Sequence, residues 1–147
     1  MEDESDVRLV TATYLREHGY DVVDATMVNP ELGGEEQFRT FQDELRRFQL
    51  GFLLDIVPNH MAASPDNGWW MSVLENGPHS PWLDWFTVEG WPLSAYDGSR
   101  PANYLAWVGN RALPKLNTDN PQVREFIMRV AEHWLRFGID GWRLDVP

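Results

Sequence analysis

Between Glu35 and Leu50, apolar residues recur at Phe38, Phe41, Leu45 and Phe48 with charge on the opposite side. That 3-4-3 spacing predicts a helix that buries one stripe. Asp43 and Glu44 precede Arg46 and Arg47 at helical spacing, and Gly51 supplies the stop. Phe52-Leu53-Leu54-Asp55-Ile56-Val57 then reads as a buried strand, ended by Pro58. Its single interruption, Asp55, is costly in such a strand unless a partner meets it. The helical period returns at Asn120-Pro121, an N-cap followed by an N1 proline, and runs to Gly138. Val123, Phe126, Ile127, Val130, Ala131, Trp134 and Leu135 form its apolar face. Glu125–Arg129 and Glu132–Arg136 are stabilising pairs on the other side, and His133 is expected to be exposed among them. The closing stretch Gly138 to Pro147 is a second short apolar run. Strands are thus expected near 52–57 and 139–145, helices near 35–50 and 121–137.

Helix, strand, helix, strand is a run of (β/α) units with a parallel sheet, and ligands of such folds gather past the C-terminal ends of the strands. Residues 61 to 119 interrupt the alternation. They are rich in Pro, Gly and Asn and hold Trp69, Trp70, Trp82, Trp85, Trp91 and Trp107. A structureless loop this long is improbable in a packed domain, so a small irregular subdomain is expected. Most of these tryptophans then serve packing. Before the first helix, residues 1–6 form an acidic tail. Val7 to Leu15 fits a helix through Val7, Val10 and Tyr14, and a strand through Leu9, Thr11 and Thr13. His18-Gly19-Tyr20-Asp21 is a polar-aromatic cluster, and Asn29 to Gly34 is turn-like.

The 147 residues carry a formal charge of −11, from 23 acidic against 12 basic residues, which argues against nucleic acid as a partner. No run approaches the ~20 apolar residues of a membrane span. There is no cysteine, hence no disulfide framework or thiol chemistry. Met1 to Asp6 lacks the basic and apolar regions of a secretory leader, so a cytoplasmic location is expected.

Along the last strand Gly141, Arg143 and Asp145 share one side, and Trp142, Leu144 and Val146 the other. Arg143 and Asp145 are then about 6–7 Å apart at Cα, within reach for the guanidinium to hold the carboxylate ionised. On spacing alone, a structural ion pair has at least even odds. Asn59 and His60 follow the earlier strand, where a ligand would sit; taken singly, His60 is more often a plain surface or core histidine.

The longer string Gly141-Trp142-Arg143-Leu144-Asp145 resembles the fourth-strand signature of the α-amylase superfamily, glycoside hydrolase family 13. Asp55-Ile56-Val57-Pro58-Asn59-His60 resembles its third-strand motif, His18-Gly19-Tyr20 its second-strand loop, and Leu113-Pro114-Lys115-Leu116-Asn117 its domain-B signature. The stretch from Tyr20 to Leu74 is similar to maltooligosyl trehalose synthases, and that from His79 onward to neopullulanases and cyclomaltodextrinases. The resemblance implies a partial (β/α)8 barrel, about strands two to four over residues 7–60 and 120–147, with 61–119 as domain B. It implies Asp145 as nucleophile and Arg143 as its orienting cation. His18, Tyr20, Asp21 and His60 would contact the sugar, with Asp55 and Asn59 in structural roles. The substrate would be an α-glucan or maltooligosaccharide, with no cofactor. An ammonium cannot ligate a hard cation, so Lys115 in that signature argues against calcium despite Asn59.

A complete barrel needs ~250 residues. The family's general acid, a Glu on strand five, would lie beyond Pro147, and no motif nominates Glu75, Glu89 or Glu132 in its place. The rival to an enzyme fragment is a non-catalytic remnant or carbohydrate-binding module that keeps the aromatic wall.

Overall fold

A computed structural model of the chain describes residues 10–11, 25–28, 30–95 and 98–145, the first pair by backbone alone. Three parallel strands form one sheet in the order β1 (Val10–Thr11), β2 (Phe52–Ile56) and β3 (Gly141–Leu144). Val10 and Thr11 pair with Phe52 and Leu53, so these two residues take the strand alternative. Leu53 to Ile56 pair with Gly141 to Leu144 one for one. Helix α1 (Gly34–Arg47) connects β1 to β2, and α3 (Pro121–Phe137) leads into β3.

This register sorts the side chains. Phe52, Leu54, Ile56 and Trp142 share the face covered by the helices, where they pack with Leu45 of α1 and Val130 and Trp134 of α3. Phe38 sits at the centre, its ring 5.5 Å from those of Phe52 and Trp134 and 5.4 Å from Phe137. Buried Gln42 donates to the carbonyl of Phe137, meeting an acceptor that the last turn of α3 leaves open. The other face carries Leu53, Asp55 and Arg143. Gly141 lies close to its neighbour there: a Cβ would be 2.8 Å from the terminal methyl Leu53 Cδ2, which would have to turn aside.

Both helices enter their strands through the same turn. In α3, Gly138 (φ 97°) donates to Leu135 and Ile139 to Trp134, and Ile139 packs beside Trp134. In α1, Gln49 (φ 55°) donates to Arg46 and Leu50 to Leu45. Here the structure corrects the sequence reading: α1 ends at Arg47, not at Gly51, because Gln49 takes the left-handed position. Phe48 is consequently 72% exposed and Phe41 is also exposed, so the expected stripe is buried only through Leu45 and half-buried Phe38. On α3, Leu135 is exposed while His133 is half-buried, stacked on Phe137 at 5.8 Å, the reverse of the expectation for both. The charge pairs form as expected, at 3.7 Å for Arg129–Glu125 and 3.1 Å for Arg136–Glu132.

Residues 61–119 are more regular than expected. They contain α2 (Gly68–Asn76), capped by Asn67 Oδ1, which accepts from the Trp70 amide at 3.2 Å. Trp70, Val73, Trp85, Phe86, Tyr104 and Leu116 are buried together with Val123 of α3. Trp69, Trp82 and Trp85 lie with ring centroids 4.5–5.4 Å apart, and Trp69 meets Phe126 of α3 edge-on at 4.8 Å. Phe126 also packs on the cluster beneath the sheet, so the two cores meet at this residue.

Candidate active site

The site is built where β2 and β3 end. Asp55 and Arg143 are register partners on adjacent strands, and their side chains share the face opposite Phe52, Leu54 and Trp142. Arg143 Nη1 donates to Asp55 Oδ2 at 2.7 Å, a charge-assisted hydrogen bond. Arg143 Nη2 lies 3.6 Å from Asp145 Oδ1, an ion pair too long for a good hydrogen bond. The guanidinium therefore stands between two carboxylates. Its side chain is 46% exposed, whereas those of Asp55 and Asp145 are each 13% exposed. The sequence spacing suggested Arg143 with Asp145; the shorter contact goes to Asp55, which answers how a carboxylate is tolerated in that strand.

Asp145 follows the last β3 residue and continues the ladder, its amide donating to Ile56 at 2.9 Å. Its Oδ2 is enclosed. Asn59 and His60 follow the end of parallel β2, so they lie at the same end of the sheet as Asp145, as expected. His60 forms an antiparallel bridge with Lys115, and the Leu116 amide donates to the Asn59 carbonyl at 2.8 Å. The His60 ring stacks on Trp107 at 5.0 Å and 18°. That contact spans 47 positions of the sequence and had no signal in it.

His18, Tyr20 and Asp21 lie outside the described residues. Among the described residues no group of three or more His, Cys, Asp or Glu gathers as a metal site. Asn59 Oδ1 is enclosed without a hydrogen bond to the described residues, and Lys115, the bridge partner of its neighbour His60, brings an ammonium rather than an oxygen. One amide oxygen is a poor match for a cation that takes six to eight oxygens.

Asp140 marks the opposite end of the strands. Its Oδ2 accepts from the Phe52 amide at 2.7 Å and its amide donates to the Phe52 carbonyl at 2.9 Å. A shallow groove of about 430 Å³ also runs along α3, lined by Thr26, Arg129, Glu132, His133, Arg136 and Phe137. Its Arg129 and Arg136 are already paired with Glu125 and Glu132 along the helix. At the sheet end, by contrast, a nearly enclosed carboxylate is held beside a cation, an arrangement suited to nucleophilic attack on an electrophilic carbon.

Comparison with known proteins places the chain in a family. Residues 8–147 match the profile of the alpha amylase catalytic domain. The intracellular maltogenic amylase of Bacillus subtilis is 38% identical over 131 residues, which are 88% of this chain and 21% of that protein. Neopullulanase 2 of Thermoactinomyces vulgaris is 38% identical over 129 residues, with the same shares of 88% and 21%. The crystal structure of a debranching enzyme from Nostoc punctiforme superposes with a TM-score of 0.82 at 51% identity, over 95% of this chain and 29% of that one. The chain thus spans about a fifth of the length of these curated relatives. No helix among the described residues is long and apolar enough to cross a membrane.

Proposed function

The chain belongs to the α-amylase catalytic-domain family, and on that premise we propose that it is the nucleophile-bearing part of a retaining enzyme acting on α-glucans. Asp145 is the nucleophile: a carboxylate oxygen attacks the anomeric carbon, the glycosidic C–O bond breaks, and a covalent glycosyl-enzyme forms. Arg143 aims it. Because the guanidinium is anchored to Asp55 at 2.7 Å, its second arm has a fixed place from which to hold Asp145. That relay is the observation that carries the proposal.

His60 contacts the bound sugar from the same end, with His18, Tyr20 and Asp21 as its proposed companions. Asp55 and Asn59 are structural. The sheet is part of a (β/α)8 barrel, and residues 61–119 act as its domain B, one wall of the cleft. Maltooligosaccharides and cyclodextrins are the proposed substrates, and the named intracellular location of the Bacillus subtilis relative is extended to this chain. The leaving oxygen needs a proton, and no residue described is assigned that role. Glu132 is paired to Arg136, and Glu75 and Glu89 are exposed on α2 and in the segment after it.

A leaving group that departs without a proton isolates the nucleophile from the acid. Incubation of the purified chain with α-maltosyl fluoride should release fluoride and add one maltosyl group to Asp145, located by peptide mass spectrometry. The Asp145→Asn variant should stay unlabelled. Binding of maltotriose without labelling would favour the carbohydrate-binding remnant over the enzyme. Labelling of a different carboxylate would overturn the assignment outright.

A further inference from the structure

We propose that Trp107 is a positioning residue that sets the plane of the His60 imidazole for the sugar. This rests on the glucan reading above, to which it adds a residue outside the four sequence motifs. His60 follows the end of β2 and is paired with Lys115. The fold supplies a neighbour for its ring from far away. Residues 114–116 run between two flanking segments: the Met61 amide donates to Pro114 and the Leu116 amide to Asn59 on one side, and the Lys115 amide donates to Leu105 on the other. The bridges His60–Lys115 and Ala106–Pro114 bring the turn after Ala106 beside His60.

That turn is tightly held. The Trp107 amide donates to Leu113, the Asn110 amide to Trp107, and the Leu113 amide to Asn110, all at 2.8–2.9 Å. Its path requires Val108 at φ 45° and ψ 30°, a left-handed conformation that a β-branched residue rarely adopts. Val108 is also 80% exposed, so no burial of its own side chain explains the strain. In the same turn Trp107 lies over His60, ring on ring at 5.0 Å and 18°. Strained backbone of this kind gathers where a site must be held in one geometry. A stacked indole restricts rotation of the imidazole about χ2 and so fixes the direction of its edge.

The test uses NMR of the whole 147-residue chain. The ring current of Trp107 should shift the His60 ring protons upfield, and Trp107→Leu should return them to ordinary positions. Maltotriose should perturb the His60 signals, and its affinity should fall about fivefold or more in Trp107→Leu but little in Trp107→Phe, which keeps a stacking face. Equal His60 shifts in parent and Trp107→Leu would overturn the stack. A present stack with unchanged maltotriose affinity in Trp107→Leu would overturn the positioning role. A present stack with no effect of maltotriose on the parent would instead overturn the glucan reading. If Trp107→Leu does not fold, Trp107→Phe decides: retained upfield shift and affinity support the proposal, and loss of the shift with full affinity overturns it.

Discussion

Arg143 and Asp55 lie 88 residues apart in sequence and face each other in register, joined by a 2.7 Å bond between guanidinium and carboxylate. Removing the cation leaves Asp55 and Asp145, two mostly enclosed carboxylates, without the charge between them. Arg143→Ala should therefore destabilise the chain by about 1–3 kcal/mol, toward the lower figure because Arg143 itself is half exposed. Asp55→Asn keeps an acceptor for the guanidinium and should cost less. Urea unfolding of the two variants gives the order directly, and the reverse order would refute this account of the pair.

Gly141→Ala should cost about 1 kcal/mol, since its Cβ would push aside the terminal methyl Leu53 Cδ2. Leu53→Val removes that methyl. The double variant should recover much of the loss, and a double-mutant cycle showing simple additivity would place the cost elsewhere.

Gln49 and Gly138 occupy the same place in the two helix-ending turns, both with positive φ. Only glycine takes that conformation freely, so Gln49→Gly should raise stability by about 0.5–1 kcal/mol, less what the glycine adds to unfolded-chain entropy. A lower melting temperature in Gln49→Gly would contradict the assignment of the turn.

Ordinary maltooligosaccharides should behave differently from the fluoride. Their departing oxygen must be protonated, and losing general acid catalysis costs about 10²–10⁴-fold. The 147 residues alone should give no measurable hydrolysis of maltotriose or cyclodextrin. Turnover present in the parent and abolished in Asp145→Asn would mean that one of these carboxylates serves as the acid.

Calcium should leave the melting temperature unchanged, because Asn59 offers a single oxygen and Lys115 an ammonium in the neighbouring strand segment. A rise with added calcium that disappears in Asn59→Ala would show that oxygens from elsewhere complete a site there.

Much of the frame was legible because it rests on local signals. Apolar runs between glycine and proline marked β2 and β3, and Asn120-Pro121 with Gly138 bracketed α3. Two sites of error turn on local detail finer than the spacing of apolar residues. His133 looked solvated among charges, yet Phe137 covers one face of its ring. Phe48 fits the apolar stripe, yet Gln49 turns the chain before the stripe is complete. Within the site, both strands and their ends were readable, so Asn59, His60 and Asp145 fell at one end. The bond from Arg143 to Asp55 depends on strand register, and the stack of Trp107 on His60 on the closing of a 47-residue excursion; neither leaves a mark in spacing. α2 was hidden because its tryptophans sit in a stretch dominated by turn formers.

Phe126 touches both hydrophobic clusters, and Val123, also on α3, is fully buried in the one formed by residues 61–119. What looks like a cassette in the sequence is therefore not exchangeable as one. A chimera cut at residues 61 and 119 would set a foreign ring cluster against Val123 and Phe126, which belong to the recipient helix. The heritable unit instead includes about the first two turns of α3, so recombination that preserves folding should place its downstream breakpoint beyond Ile127.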